Sequence, residues 1–116
     1  MIRAAVVAMI GVALFSSRHP APARLGVVAR EFRFQLSRPT LKAGPAIVEL
    51  DNFGEDVHDL NLRRIGGTQT YALAATQPHG RAQLKLRLRP GVYRLWCSVA
   101  DHRAQGMEGL LRVRAR

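Results

Sequence analysis

Four residues of the sequence could together bind one soft metal ion. The single cysteine, Cys97, is followed five residues later by His102 and, after five more, by Met107. A thiolate, an imidazole and a thioether are soft or borderline donors, and a trigonal copper site uses two histidines, one cysteine and a weakly bound methionine. The second histidine must come from elsewhere in the chain, and His58, in the stretch DVHDLNL, is the candidate. The pattern predicts a site for one copper ion, Cu(II) or Cu(I).

Taken singly, each of these residues has a structural explanation. A cysteine that ends an apolar strand is most often an inert part of the core, and a lone histidine or methionine is usually structural as well. The order and spacing of the three types, with a further histidine upstream, favour a metal site. His79, in the turn-like stretch QPHG, is expected to be solvated. Trp96 is expected to pack on the opposite face of the sheet from Cys97.

Period-two alternation of apolar and polar residues indicates that strands carry two of the donors. His58 shares its parity with Leu60 and Leu62, and Cys97 shares its parity with Leu95. Both donors should therefore point into the interior of an antiparallel sandwich. The predicted strands are residues 29–36, 46–50, 57–63, 84–88, 93–97 and 111–114, with an irregular connection or one helical turn over residues 66–80.

The stretches around these donors resemble those of the cupredoxins, the small blue copper proteins of the plastocyanin and azurin type. The resemblance is carried by NFGEDVHDLNL and LRPGVYRLWCSVADHRAQGMEGLLRV, and a weaker similarity extends over most of residues 25–116. The matching residues are His58 with Asp59, Tyr93-x-Leu95-x-Cys97, Cys97-x4-His102-x4-Met107, and Gly106 and Gly109 beside the methionine. The gap from cysteine to histidine is longer than the Cys-x2-His of plastocyanins and is more like that of rusticyanin.

The resemblance implies an all-β, Greek-key β-sandwich that carries single electrons between redox partners. It places Asp59 where many cupredoxins have asparagine, beside Ser98, the residue that follows the cysteine. Asp59 and Ser98 are expected to link the two donor-bearing strands, and Asn52 is expected to do similar work. An acid at position 59 should lower the reduction potential. Gly106 and Gly109 are expected to let the loop fold over the metal.

The resemblance also implies where a redox partner binds. In the family the exposed edge of the loop histidine, here His102, lies in an apolar patch, which Val99, Ala100 and Ala104 would form. The net charge is +10, so the expected partner is a redox protein with an acidic face, such as a cytochrome or an oxidase domain. We expect the protein to be a monomer.

The N-terminal residues have the pattern of a secretory signal. Met1-Ile2-Arg3 gives a positive start, residues 4–15 are uninterruptedly apolar, and Ala21-Pro22-Ala23 supplies a small-residue cleavage pattern. The predicted organisation is a signal peptide over residues 1–23 and a copper-binding domain over residues 24–116, in a periplasmic or otherwise exported protein. The alternative is a retained membrane anchor, although the apolar run is short for a span. Cleavage would lower the net charge from +10 to +8, because it removes two arginines and no acid.

Composition limits the other functions. One cysteine cannot form an internal disulfide. Nucleic-acid binding is disfavoured because the arginines alternate with apolar residues along strands and no nucleic-acid motif is present. Copper enzymes of this fold add His-x-His or His-Cys-His motifs, which the sequence lacks, so no enzymatic activity is expected. The alternative that remains open is a copper carrier, storage or resistance protein without an electron-transfer role.

Overall fold

Alternating strands extend over most of the chain. The computed structural model describes residues 2–12 and 21–116, and this described part contains nine β-strands and no helix. The strands are β1 (Ala23–Arg30), β2 (Arg33–Leu36), β3 (Thr40–Lys42), β4 (Gly44–Asn52), β5 (His58–Arg64), β6 (Thr70–Thr76), β7 (Arg81–Leu88), β8 (Gly91–Trp96) and β9 (Glu108–Arg114).

The strands form two sheets with the core between them. One sheet has four strands in the order β2-β1-β4-β7, and the other has five in the order β3-β9-β8-β5-β6. The predicted all-β sandwich is confirmed. Most neighbouring strands are antiparallel as expected, but β1 pairs with β4, and β3 with β9, in parallel. A parallel pair needs a long connection, and the chain provides one between β1 and β4 by way of β2 and β3.

The core is built from the inward-facing positions of both sheets. Strand β5 buries Leu60 and Leu62, and β8 buries Tyr93 and Leu95, as their parity predicts. The four-stranded sheet opposes them with a second set of apolar residues, which includes Leu25, Val27, Ala29, Val48 and Leu50. Because both faces contribute, the core holds the two sheets in a fixed relation.

Two sequence predictions about strands are wrong. Residues 29–36 are not one strand: β1 ends at Arg30, Glu31 and Phe32 form a turn, and β2 returns antiparallel with Arg30 opposite Arg33. The alternation continues across this turn, so it gave no sign of the reversal. Residues 66–80 contain strand β6, which pairs with β5 at the edge of its sheet. Alanine is a poor strand former, and the alanines of β6 obscured its pattern.

The N-terminal segment is described only in part. Met1 and residues 13–20 lie outside the described residues, so the predicted signal peptide cannot be followed along its length. Residues 2–12 have no regular secondary structure and are exposed. Among the described residues, no helix has the length and apolar character needed to cross a membrane. Strand β1 begins at Ala23, at the end of the predicted signal, and the boundary between residues 23 and 24 stays a prediction.

Candidate metal centre

Two adjacent strands carry the first two donors. Strand β5 begins at His58, and β8 ends at Trp96, one residue before Cys97. The strands are neighbours in the five-stranded sheet, where Asn61 lies opposite Trp96. Both donor side chains face the interior and are completely buried, at 0% exposure. The antiparallel pairing of β5 with β8 therefore brings the two donors to the same end of the sheet.

The loop between β8 and β9 supplies the other two predicted donors. Backbone hydrogen bonds within the loop connect the predicted donors. Met107 N–H donates to His102 O at 3.1 Å, and Cys97 N–H donates to Met107 O at 3.1 Å. Gly106 has a φ of +107°, which a residue with a side chain rarely adopts. Gly109, expected to serve the same purpose, has no such angle. His102 and Met107 are both buried in this loop.

The structure brings three donor atoms into one buried cluster. Ligand atoms of His58, Cys97 and His102 all lie within 4.8 Å of one another. Cys97 Sγ is 3.7 Å from His102 Nδ1, and bonds of about 2.0–2.3 Å from imidazole and thiolate to a first-row metal hold such donors roughly 3–4 Å apart. His58 Nδ1 is buried and has no hydrogen-bond partner. Since a buried polar atom is rarely left unpaired, this nitrogen is suited to a metal.

Glu31 contacts the metal centre from the β1–β2 turn, and sequence reasoning missed it. Its Oε1 is 3.1 Å from His58 Nε2 and accepts hydrogen bonds from the N–H groups of Glu55 and Asp56 at 2.7 and 2.6 Å. A carboxylate only accepts, so His58 Nε2 donates to it and Nδ1 is the nitrogen that is left to bind a metal. The bond from Asp56 N–H is the largest of several that lower the pKa of Glu31 to about 2.

Gly54 makes this contact possible. An added Cβ would lie 2.6 Å from Glu31 Oε1 and 2.8 Å from His58 Nε2, so a larger residue would push the two groups apart. Asn52 fixes the backbone on either side: it accepts from Gly54 N–H at 2.8 Å, and its Nδ2 donates to the carbonyls of Asp56 and Thr76 at 2.8 and 2.9 Å. Asn52 therefore holds the loop that precedes His58.

His102 is more enclosed than predicted. It is 5% exposed, whereas the resemblance to the cupredoxins implied an exposed ring edge. The Phe32 ring lies 4.9 Å from its centroid, and Asp56 Oδ2 lies 3.4 Å from its Nε2. The Asp56 contact is made by Nε2, so Nδ1, which lies 3.7 Å from Cys97 Sγ, is the nitrogen that is left to bind a metal. Phe32 belongs to the turn that the sequence analysis placed within a strand, and for this reason it was not expected at the site.

The predicted docking residues lie on the loop but do not surround an exposed imidazole. Ala100 and Ala104 are exposed, and Val99 is half-buried and packs against the core. Ala100 has a positive φ of 44°. His102, which lies between Ala100 and Ala104 in the chain, is only 5% exposed.

Asp59, in β5, forms hydrogen bonds with the residue that follows Cys97. Its Oδ1 accepts from Ser98 N–H at 2.7 Å, and its other oxygen accepts from the Ser98 hydroxyl. Asn61 Nδ2 donates to the same Oδ1 at 3.2 Å and to Trp96 O at 3.3 Å. The residues after Cys97 are thus held to β5 by side-chain hydrogen bonds as well as by the sheet. Trp96 lies on the outer face, as predicted.

The cluster disfavours a free thiolate at Cys97. Burial raises the pKa of the Cys97 thiol, and the nearby charge of Asp59 adds to the increase. A buried thiol becomes a thiolate readily only when a metal replaces its proton. One thiol and two imidazoles, each imidazole with Nδ1 facing inward, match the donors that copper selects. The residues therefore fit a copper ion, with Met107 placed in the same loop as a potential fourth donor.

Comparison with solved structures supports the fold. No known protein family and no curated protein matches the sequence. A reduced auracyanin from Roseiflexus castenholzii superposes with a TM-score of 0.65 at 15% identity, over 81% of this chain and 98% of its own. Auracyanin A from Chloroflexus aurantiacus, described as a "blue" copper protein, gives 0.66 at 15% identity over 80% and 99%. An azurin from Methylomonas sp. strain J gives 0.63 at 13% over 80% and 98%. The chain therefore has the cupredoxin fold predicted from its sequence.

Proposed function

We propose that the protein is an exported type 1 copper protein that carries single electrons between redox partners. The observation that carries this proposal is the buried cluster of His58, Cys97 and His102, whose ligand atoms lie within 4.8 Å of one another. We assign Met107 as the weak axial ligand, because it is fully buried and its backbone forms hydrogen bonds with the backbones of Cys97 and His102. Bound copper would supply the chemistry of one-electron exchange between Cu(II) and Cu(I).

The rigidity of the cluster supports electron transfer. Two donors come from paired strands, and the loop that presents the other two is closed by its own backbone hydrogen bonds. Carboxylates contact Nε2 of both histidines, which fixes the orientation of each ring. A cage that is held in place before metal binding changes little between oxidation states. Such a cage suits electron exchange better than repeated release of the ion.

The similar structures support the same function. One of them is described as a "blue" copper protein, and another is a reduced, Cu(I) form of an amicyanin variant, similar at a TM-score of 0.56 and 18% identity. We extend the metal and the redox role of these proteins to this chain because its donors occupy one buried cluster. We propose no catalytic residue.

Export, partner and assembly complete the proposal. The signal-like residues 1–23 favour a periplasmic or otherwise exported location. The net charge of +10 favours a redox partner with an acidic face, such as a cytochrome or an oxidase domain. Val99, Ala100 and Ala104 are proposed to form one docking patch beside His102, and the protein is proposed to act as a monomer.

A visible spectrum tests this function. The domain over residues 24–116 would be titrated with Cu(II) beside a Cys97→Ser variant, with Ser98→Cys/Cys97→Ser as a control that keeps one thiol in the loop. We expect an intense thiolate-to-copper band that saturates at one equivalent and is absent from both variants. Tight binding of one copper without this band would favour the carrier function. The absence of copper binding would refute the proposal.

A further inference from the structure

The outer face of the five-stranded sheet carries a groove lined by arginines. Its volume is about 350 Å³, and its charged walls are Arg63 and Arg64 on β5, Arg94 on β8, and Arg103 in the loop between β8 and β9. No acidic side chain is among the described residues that line it. Four arginines therefore line one concave surface on the side of the sheet away from the core, and Glu108 neutralises one of them, Arg103.

Two of these arginines form an unfavourable pair in the free protein. Arg63 and Arg94 lie directly opposite each other on adjacent strands, and both are exposed. Like charges in this relation are destabilising. Among the ion pairs of the described residues, neither arginine has a carboxylate partner, whereas Arg103 binds Glu108 at 3.2 Å. A surface that keeps such a pair can be neutralised by an acidic group from outside.

Apolar groups lie among the arginines. Ile65 lines the groove and is 52% exposed. Leu110 is 56% exposed and lies opposite Arg94, in a neighbouring depression that Glu108 also lines. The half-buried Trp96 ring has the Arg103 guanidinium 4.8 Å from its centroid. Tryptophan, arginine and exposed aliphatic side chains together are the composition of a protein–protein interface. This mixture indicates an acidic protein surface as the occupant.

The groove is also close to the proposed metal along the polypeptide chain. Trp96 directly precedes Cys97 in the chain, so the ring on the outer face and the sulfur in the interior belong to adjacent residues. At the other end of the site, His102 is 5% exposed behind Phe32 and Asp56. A partner seated on the groove would therefore be joined to the metal centre through the Trp96–Cys97 backbone without contact with the imidazole.

We propose that this groove, centred on Arg63, Arg94 and Trp96, is the docking surface for the acidic face of a redox protein. The inference rests on the proposed function and names the partner surface for it. The electron would pass from the reduced partner to Cu(II), which becomes Cu(I). The surface formed by Val99, Ala100 and Ala104 is then available to a second, less charged partner.

Binding can be tested without electron transfer. The Cu(I)-loaded protein would be titrated at low ionic strength with a reduced b-type cytochrome that has an acidic haem edge, and amide and indole NMR shifts would be followed. We expect the shifts to centre on Trp96 and its neighbours. Arg63→Glu/Arg94→Glu should raise the dissociation constant by about tenfold or more. Lys85→Glu/Arg87→Glu, an equal charge change on exposed β7 positions of the other sheet, should raise it by less than about threefold.

Three outcomes would overturn the proposal: no shifts in the wild-type protein, equal losses in the two double variants, or equally strong shifts of the same amides with inorganic phosphate. The last would identify a small-anion site. Measuring the thiolate-to-copper band of each variant distinguishes a failure of this docking surface from a failure of the proposed copper function. If the band and exchange with a neutral one-electron reagent are retained while docking is unaffected, the docking surface is refuted and the copper function stands. If the wild-type protein has no band, the function itself has failed.

Discussion

Removal of the Glu31 carboxylate should weaken copper binding although Glu31 is not a ligand. The carboxylate is 3.1 Å from His58 Nε2 and accepts two backbone hydrogen bonds, at 2.7 and 2.6 Å, from the loop that precedes this histidine. Glu31→Ala removes the acceptor that fixes the imidazole and the loop together. Loss of such a partner to a metal-bound histidine typically costs 10- to 100-fold in affinity, or about 1.4 to 2.8 kcal/mol at 1.4 kcal/mol per decade.

The lower half of that range is expected, because the Glu31 side chain is 29% exposed and water replaces part of what it provides. Cu(I) affinity would be measured by competition with a chromophoric chelator. Glu31→Gln keeps an acceptor oxygen and should recover most of the affinity. Glu55→Ala makes the same charge change in the adjacent loop, at an exposed position, and should have little effect.

Equal affinities for Glu31→Ala and Glu55→Ala would refute this reasoning. That result would mean that β5 and the core orient His58 alone. A loss in Glu31→Gln as large as that in Glu31→Ala would show that the negative charge, and not the acceptor geometry, is what matters.

Three further predictions concern the same region. Gly54→Ala places a methyl group 2.6 Å from Glu31 Oε1 and 2.8 Å from His58 Nε2, so copper affinity should fall by roughly tenfold or more in the competition assay. Asp59→Asn removes a negative charge that acts on Cys97, so the reduction potential measured by voltammetry should rise. In the metal-free protein, the low pKa of Glu31 stabilises the fold above pH 4.5. This contribution is lost as pH falls towards 2, and denaturation at several pH values should show a smaller loss in Glu31→Gln.

Matched variants control these predictions. Gly109→Ala introduces a methyl group with no atom within 4 Å, and an affinity loss equal to that of Gly54→Ala would contradict the steric argument. Ser98→Ala removes the hydroxyl that donates to Asp59 but keeps the carboxylate. If its potential rose as much as that of Asp59→Asn, the hydrogen bond and not the charge would set the potential. Identical acid sensitivity of the wild-type protein and Glu31→Gln would contradict the pH prediction.

Local sequence was enough to predict the strands that carry the donors. In β5 and β8, polar residues alternate with leucines that end up fully buried, so the parity of His58 and Cys97 predicted which way each side chain would point. The two proposed donors of the loop, His102 and Met107, were identified on a similar basis, because their types and spacing lie within one short segment. Each of these inferences needed only neighbouring residues.

The parts that failed depend on distant pairing. Glu31 contacts His58, which lies 27 residues away in the sequence. The position of the β1–β2 turn, which contains Glu31, depends on the pairing of β1 with β4. The seven registered pairs between these strands include Val27 with Leu50 and Ala29 with Asn52. Ala29 and Asn52 are both buried, at the end of the sandwich that holds the site. Neither the turn nor its destination has a signal in the residues around it.

The β1–β2 turn connects these observations. Its two residues contact different histidines: Glu31 holds His58 through Nε2, and Phe32 covers the ring of His102 at 4.9 Å. The same pairing of β1 with β4 therefore orients one proposed ligand and closes the surface above the other. Because Phe32 covers His102, little of this imidazole is accessible to a redox partner. For this reason we propose that a partner docks at Trp96, which precedes Cys97 in the chain and lies on the outer face of the sheet.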